Sequence, residues 1–381
     1  MKTHAFLELA EVQRETKTMY CAGLDPHPFS GGLQGNYGVY LEALNSTDKN
    51  KNKNLVYFFY SDLVRFALLK GNYYAPPINQ VNGYVMLLSV VECYITKVID
   101  ILVKKCNIRV FKPQAGFYEQ FGPLGQIMLS RIRQYIKNLE KEHGRIICIL
   151  DCKRGDIATT QSAYFLGLMG NLLESWGIDY TPFDFDIINV TPWMGLDVMV
   201  MGDKENPGFG LKLMKEGKGI IVVNKSSNPT GPQYQEQIVD GGSTIQMQNV
   251  VDLSLLSLYH DLEISGLSTI GLVVGSTHIC EGNIRKVFPG ATLLVPGFGA
   301  QGGKFTNIMQ ELIPDGEWTG QGAIFSSSRG TMYPWETKFG GSGDVKNLET
   351  DLIASISNFR IAEEEAFKES GLKEKGIIYP F

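Results

Sequence analysis

Short aliphatic and β-branched runs recur along the chain at Met19–Leu24, Ile108–Phe111, Ile146–Leu150, Asp186–Val190, Gly219–Val223, Thr269–Val274, Ala291–Val295 and Gly322–Phe325. Each has the length of a buried strand. Between most of them apolar residues fall at three- and four-residue spacing, the period of an amphipathic helix. Leu124, Ile127, Met128, Ile132, Tyr135, Ile136 and Leu139 form one such series; Tyr164, Phe165, Leu168, Met169, Leu172 and Leu173 form another, within a helix expected over 158–175. Eight strands alternating with helices, without strand-to-strand hairpin signals, predict an α/β fold of the (β/α)8 TIM-barrel type. The amphipathic run Leu348–Phe367 closes the expected ring of helices.

The first connection breaks this rhythm. About 80 residues separate Asp25 from Ile108, including the Asn/Lys-rich stretch 45–54, which has no apolar face to bury and is expected to be a solvated loop. Two further helices are expected around Leu55–Leu69 and Val81–Lys105. We read residues 1–381 as a single barrel domain and 30–107 as a large insertion in its first βα connection.

Composition agrees with a packed globular body: 44% of the residues are hydrophobic and 20% charged. With 35 Lys and Arg against 40 Asp and Glu, the net charge of −5 lacks the basic excess of a nucleic-acid or membrane-surface binder. The chain has no run of about 20 apolar residues and no signal-peptide core at Met1–Ala10, so the expected location is the cytoplasm. The six cysteines (Cys21, Cys93, Cys106, Cys148, Cys152, Cys280) contain no C-x-x-C pair and are expected to be reduced. In that setting the glycosylation sequons at Asn45 and Asn189 carry no meaning.

Charge gathers where the strands end. One parity of the third strand reads Ile147, Ile149, Asp151, Lys153, and the other reads Ile146, Cys148, Leu150, Cys152. The first set is expected to face the barrel interior, so Asp151 and Lys153 enter its mouth, while both thiols face the helices. Asp156 follows beyond the strand end. The simpler alternative is a surface salt bridge with Asp156 as a helix cap, worth about 1 kcal/mol. Asp25 and Lys112 each follow an apolar run directly, so four charges of both signs are expected to share one cavity. His27 lies near Asp25 with no evident base or nucleophile partner, and His278 suits a helix start. Trp193 is expected either to line the mouth or to pack in the core.

Asp151-Cys-Lys153-Arg-Gly-Asp156-Ile157 resembles the D-x-K-x-x-D-I segment of the orotidine 5′-monophosphate decarboxylase family. The resemblance extends to CAGLDP (21–26), FKPQAGFYEQFG (111–122), NKSSNPTG (224–231), VPGFGAQGG (295–303) and SSSRG (326–330), in order along most of the chain, and is to the longer-chain branch. It implies a carboxy-lyase of pyrimidine nucleotide biosynthesis that needs neither cofactor nor metal and acts on a small-molecule nucleotide. By the same resemblance Asp25 and Lys112 hold the ribose hydroxyls, Asp151 and Lys153 flank the scissile carboxylate, and Lys153 donates the proton. Asp156, Ile157 and Thr160 reach into the partner's site of a homodimer. Ser227 meets the pyrimidine edge, and Pro296, Gln301 and Arg329 line the nucleotide and phosphate site.

The phosphate site also has a reason in barrel architecture. The loops after strands seven and eight commonly bind phosphate through close backbone N–H groups, and here they hold Gly297–Gly303 and Ser326–Gly330. The first matches G-x-G-x-x-G, but a dinucleotide fingerprint belongs to an early βαβ unit. Two other readings stand beside the resemblance: a metal-dependent phosphosugar lyase or decarboxylase of the same superfamily, and a catalytically silent nucleotide-binding scaffold.

Overall fold

The computed structural model describes residues 3–27, 33–45, 60–61, 78–239, 241–275, 284–297, 322–372 and 374. Eight parallel strands follow the eight apolar runs: β1 (Tyr20–Gly23), β2 (Val110–Lys112), β3 (Ile147–Arg154), β4 (Ile187–Val190), β5 (Gly219–Lys225), β6 (Ile270–Val274), β7 (Thr292–Pro296) and β8 (Ala323–Ser327). They pair in chain order, and β8 returns to β1 with Tyr20 opposite Phe325, closing the barrel. A two-residue antiparallel ribbon, Glu263–Ile264 with Leu267–Ser268, precedes β6.

The two-residue period of the strands separates two cores. Cys21, Val110, Ile147, Ile149, Ile187, Ile221, Val273, Leu294 and Ile324 point inward and fill the barrel. Ile146, Cys148, Leu150 and Cys152 point outward into the layer beneath the helices, as their parity requires. Cys148 and Cys152 are therefore buried thiols, and burial pushes the Cys152 thiol up to about 11.

The N-terminal end of the barrel is plugged by a helix that the strand pattern did not announce, α1 (Ala5–Thr16). Its Ala5, Phe6, Leu9 and Val12 complete the interior cluster. Glycine at 219 makes room for the plug, since a Cβ there would lie 2.8 Å from the Phe6 ring. Burying a side chain such as Phe6 contributes roughly 2–3 kcal/mol. Arg145 ties this end together, reaching Glu8 of α1 at 2.7 Å, Glu140 at 2.6 Å and Asp186 before β4 at 2.6 Å.

Around the strands run α2 (Leu33–Asn45), α3 (Ile78–Cys106), α4 (Gly122–His143), α5 (Ala158–Met169), α6 (Phe209–Lys215), α7 (Ile245–Tyr259) and α8 (Leu348–Glu369). Helix α3 packs against both α8 and α4, which gives it the ring position of the helix joining β1 to β2. The C-terminal part of the expected insertion is thus a regular barrel helix, and α2, packed on α3, is the added element. Of the expected loop 45–54 only Asn45 is described, as the last residue of α2, and most of the helix expected at Leu55–Leu69 lies outside the described residues.

Helix α5 ends at Met169, earlier than the expected 158–175. Gly170 stops it: its N–H still bonds to Phe165 and Leu166, but its own backbone is extended. The Asn171 side chain then accepts from the N–H groups of Leu173 and Tyr180, at 3.0 and 3.1 Å, and holds a loop where the apolar spacing alone suggests more helix.

Candidate active site

The interior of β3 is apolar through Ile149 and turns charged at Asp151, where the strand leaves the packed layers. Lys112 ends β2 beside it, 4% exposed, and donates from Nζ to Asp151 Oδ2 at 3.0 Å. Lys153 donates from Nζ to Asp151 Oδ1. Asp25, also 4% exposed, follows β1 and accepts the Gln114 N–H at 3.0 Å. The charges alternate in sign: Asp25, Lys112, Asp151, Lys153.

Burial alone would lower the Lys112 pKa, but Asp151 and Asp25 outweigh it and hold the ammonium above the usual lysine range. Burial would likewise raise Asp151, and Lys112, Lys153 and a hydrogen bond from Asn189 hold it well below the usual carboxylate range. Both groups are thus charged throughout the neutral range. The Lys153 side chain, 50% exposed, is the cation of the array that faces the open mouth.

The backbone of β3 is distorted at this point. Leu150 pairs with Ile188 and Arg154 with Val190, so three residues of β3 oppose the single residue Asn189 of β4. Asn189 Oδ1 accepts the N–H groups of Cys152 and Lys153, each at 2.7 Å, and its Nδ2 donates to Asp151 Oδ1 at 2.7 Å. Lys153 adopts φ 48°, a left-handed conformation that costs a lysine roughly 1–2 kcal/mol. The sequence marks Asn189 only as a sequon. Its informative feature is a polar residue at the inward parity of β4, one step beyond Ile187, where Asp151 stands on β3.

Asp156 stays outside this array within its own chain. Its carboxylate accepts the Ile157 N–H at 2.8 Å, and its backbone N–H donates to Gln161 Oε1 at 3.1 Å. It does not cap α5, whose first residues receive no side-chain bond. Ile157 and Thr160 are exposed at the start of that helix. Trp193 is 79% exposed in the segment after β4, which removes core packing as its role.

Around the rest of the rim, Ser227 follows β5, Pro296 ends β7 opposite Ser326, and Arg329 opens the helical turn Arg329–Met332 after β8. This turn lies close to the end of β1, since a Cβ on Gly23 would stand 2.1 Å from Ser328 Oγ. His27 fills the corner between them. Its ring meets that of Phe117 edge to face with centroids 4.2 Å apart, burial lowers its pKa, and the charges of Asp25 and Arg329 both act on it. Gln301, His278 and Cys280 lie outside the described residues. Among the described residues no three His, Cys, Asp or Glu side chains are grouped to hold a metal ion, and no helix is long and apolar enough to cross a membrane.

A closed (β/α)8 barrel with alternating charges at the C-terminal ends of its first three strands defines a protein whose site is built where barrel enzymes carry theirs. Residues 95–331, more than half of the chain, match the model of the Orotidine 5′-phosphate decarboxylase / HUMPS family. An orotidine 5′-phosphate decarboxylase from Rhodopirellula baltica is 32% identical over 248 residues, 64% of this chain and 74% of that relative. One from Clostridium tetani is 30% identical over 244 residues, 64% and 73% of the two chains. The fold is shared with the crystal structure of Plasmodium berghei orotidine 5′-monophosphate decarboxylase, with a TM-score of 0.64 at 17% identity, covering 96% of this chain and 99% of that one. The chain belongs to the Orotidine 5′-phosphate decarboxylase / HUMPS family.

Proposed function

We propose that this protein decarboxylates orotidine 5′-monophosphate to uridine 5′-monophosphate and CO2, using its own side chains and no metal or cofactor. The observation that carries the reading is the Lys112–Asp151–Lys153 array, with one carboxylate held ionised between two ammonium groups at the barrel mouth. The bond between C6 of the pyrimidine and its carboxylate breaks, the electron pair stays on C6, and CO2 leaves. Lys153 faces the developing carbanion, stabilises it as a cation and delivers the proton that completes the product. It regains that proton from solvent.

Asp151 opposes the substrate carboxylate in the bound state. Two unit charges about 4 Å apart at an effective dielectric near 20 repel by roughly 4 kcal/mol, and full relief at the transition state supplies about a thousandfold at most. The rest comes from preorganised charge and from binding energy of the phosphate and ribose. Asp25 and Lys112 take the ribose hydroxyls, Ser227 the pyrimidine edge, and Pro296, Gln301 and Arg329 the nucleotide and phosphate. In a homodimer, Asp156, Ile157 and Thr160 of each subunit complete the other's site. The exposure of Ile157 and Thr160 where α5 begins, with Asp156 just before them, supports that role.

The test is the ultraviolet absorbance of orotidine 5′-monophosphate with purified protein in EDTA. Loss of the orotate chromophore at an undiminished rate is expected; no turnover refutes the activity, and turnover abolished by EDTA refutes the metal-free mechanism.

A further inference from the structure

Helix α2 is surplus to a regular barrel, and its buried tyrosine shows what it serves. Tyr40 is fully buried, and its hydroxyl meets the Tyr333 hydroxyl at 2.7 Å. Tyr333 donates to the His27 carbonyl at 3.1 Å, so the proton between the two phenols belongs to Tyr40. Tyr94 of α3 stacks on Tyr40 with ring centroids 4.4 Å apart, and its hydroxyl donates to the Met332 carbonyl. At the start of β1, Tyr20 meets Thr331 Oγ1 at 2.5 Å, and Thr331 in turn donates to the Ser327 carbonyl at 2.6 Å.

Thr331, Met332 and Tyr333 are therefore each held by a tyrosine hydroxyl, and together they follow directly on Arg329 and Gly330. Two of the three tyrosines come from the β1–β2 crossover. Phenylalanine would fill the same space without burying a hydroxyl, whose desolvation is costly unless it is bonded. What the hydroxyls add is direction, because a fully satisfied buried polar network admits one arrangement where apolar packing tolerates several. The same network reaches His27, so it fixes the corner after Asp25 and the turn of Arg329 relative to each other.

We infer that the extended β1–β2 crossover is a buttress for the phosphate-binding turn, with Tyr40 and Tyr94 as positioning residues that hold Arg329 toward the Asp25 corner. This rests on the reading of Arg329 as a phosphate ligand. The test measures dissociation constants of uridine 5′-monophosphate and of uridine for the full chain, for Tyr40→Phe, for the double variant Tyr40→Phe/Tyr94→Phe and for Arg329→Ala, with thermal midpoints alongside.

The double variant is expected to bind the nucleotide about tenfold more weakly while uridine changes less than about twofold, as befits loss of one or two net hydrogen bonds. Tyr40→Phe alone, the mildest change, gives a smaller loss of the same selectivity. Arg329→Ala shows that selectivity at larger size. If Arg329→Ala weakens only the nucleotide but the tyrosine variants bind both ligands like the parent, the buttress is wrong, whatever their thermal midpoints. Equal losses of both ligands in the tyrosine variants also overturn it, since they report general loosening. If Arg329→Ala itself fails to discriminate, the phosphate reading falls and the inference falls with it.

Discussion

The side-chain amide of Asn189 donates to the Asp151 carboxylate at 2.7 Å, from one strand of the barrel to the next. Its other end accepts two consecutive backbone N–H groups of β3, those of Cys152 and Lys153. A single side chain therefore orients the buried anion and also holds the bulge that turns Lys153 back onto it. Aspartate at this position would place a second acceptor against Asp151, and a shorter apolar residue would leave the buried Cys152 N–H and the partly buried Lys153 N–H without their partner.

Asn189→Ala is accordingly expected to lower kcat by about a hundredfold or more, the scale of an ångström-level misplacement of reacting groups, with a smaller change in KM. Steady-state kinetics beside a circular-dichroism check of folding measure this. Parental kcat would mean that the bulge and Asp151 hold their geometry without the amide.

Lys153→Ala should reduce turnover by several orders of magnitude and leave a folded protein, because the ammonium is half exposed and carries no core packing. Near-parental turnover in this variant sinks the proposed proton transfer.

The sharing of sites between subunits is testable by mixing. Lys153→Ala and Asp156→Ala proteins are each expected to be nearly inactive, yet a mixture that exchanges subunits regains activity. A heterodimer collects both lesions in one site and leaves the other intact. Unbiased exchange makes about half the dimers mixed, each with one good site of two, so recovery is about a quarter of the parental activity. No recovery under conditions of proven exchange refutes the shared site: Asp156 then acts within its own chain or the assembly is not this dimer.

Glu363 gives a stability prediction remote from the site. It is buried on α8 and accepts the Met19 N–H and the Thr18 hydroxyl, each at 2.8 Å. Burial pushes its carboxyl up to about 7, against an ordinary value of 4.5, despite these two bonds. The folded protein thus holds this proton more tightly than the unfolded chain. Its contribution is fully present below pH 4.5 and is lost as the pH rises through about 7. Glu363→Gln keeps an acceptor for the Met19 N–H and turns the Thr18 bond round, its amide N–H donating to the Thr18 hydroxyl oxygen, without the ionisation. Urea unfolding at pH 5 and pH 8 is expected to show the parent losing up to about 3 kcal/mol relative to the variant over that interval. A pH-independent difference between the two proteins would contradict it.

What the amino-acid sequence determined by itself is the part of this protein that depends on neighbours along the chain. Eight short apolar runs, with helical spacing between most of them, were sufficient for the order of the eight strands. The two-residue period of β3 sets Ile147 and Ile149 inward and Cys148 and Cys152 outward, and carries Asp151 to the inward side, whereas the bulge held by Asn189 is what turns Lys153 back onto Asp151. The motif residues at the strand ends then marked the mouth. Local pattern misjudged the end of α5, because Gly170 and the Asn171 side chain override a continuing apolar period. It also left α3 inside an insertion, since only its packing between α8 and α4 shows it to be a ring helix. The tertiary structure alone decided that Phe6 plugs the barrel, that Asn189 serves Asp151 and Lys153, and that Tyr40 reaches Tyr333. Each of these contacts joins residues far apart in sequence, on elements whose positions exist only once the barrel has closed. Their partners are set by barrel geometry, whereas helical and strand periods are set by the few residues on either side.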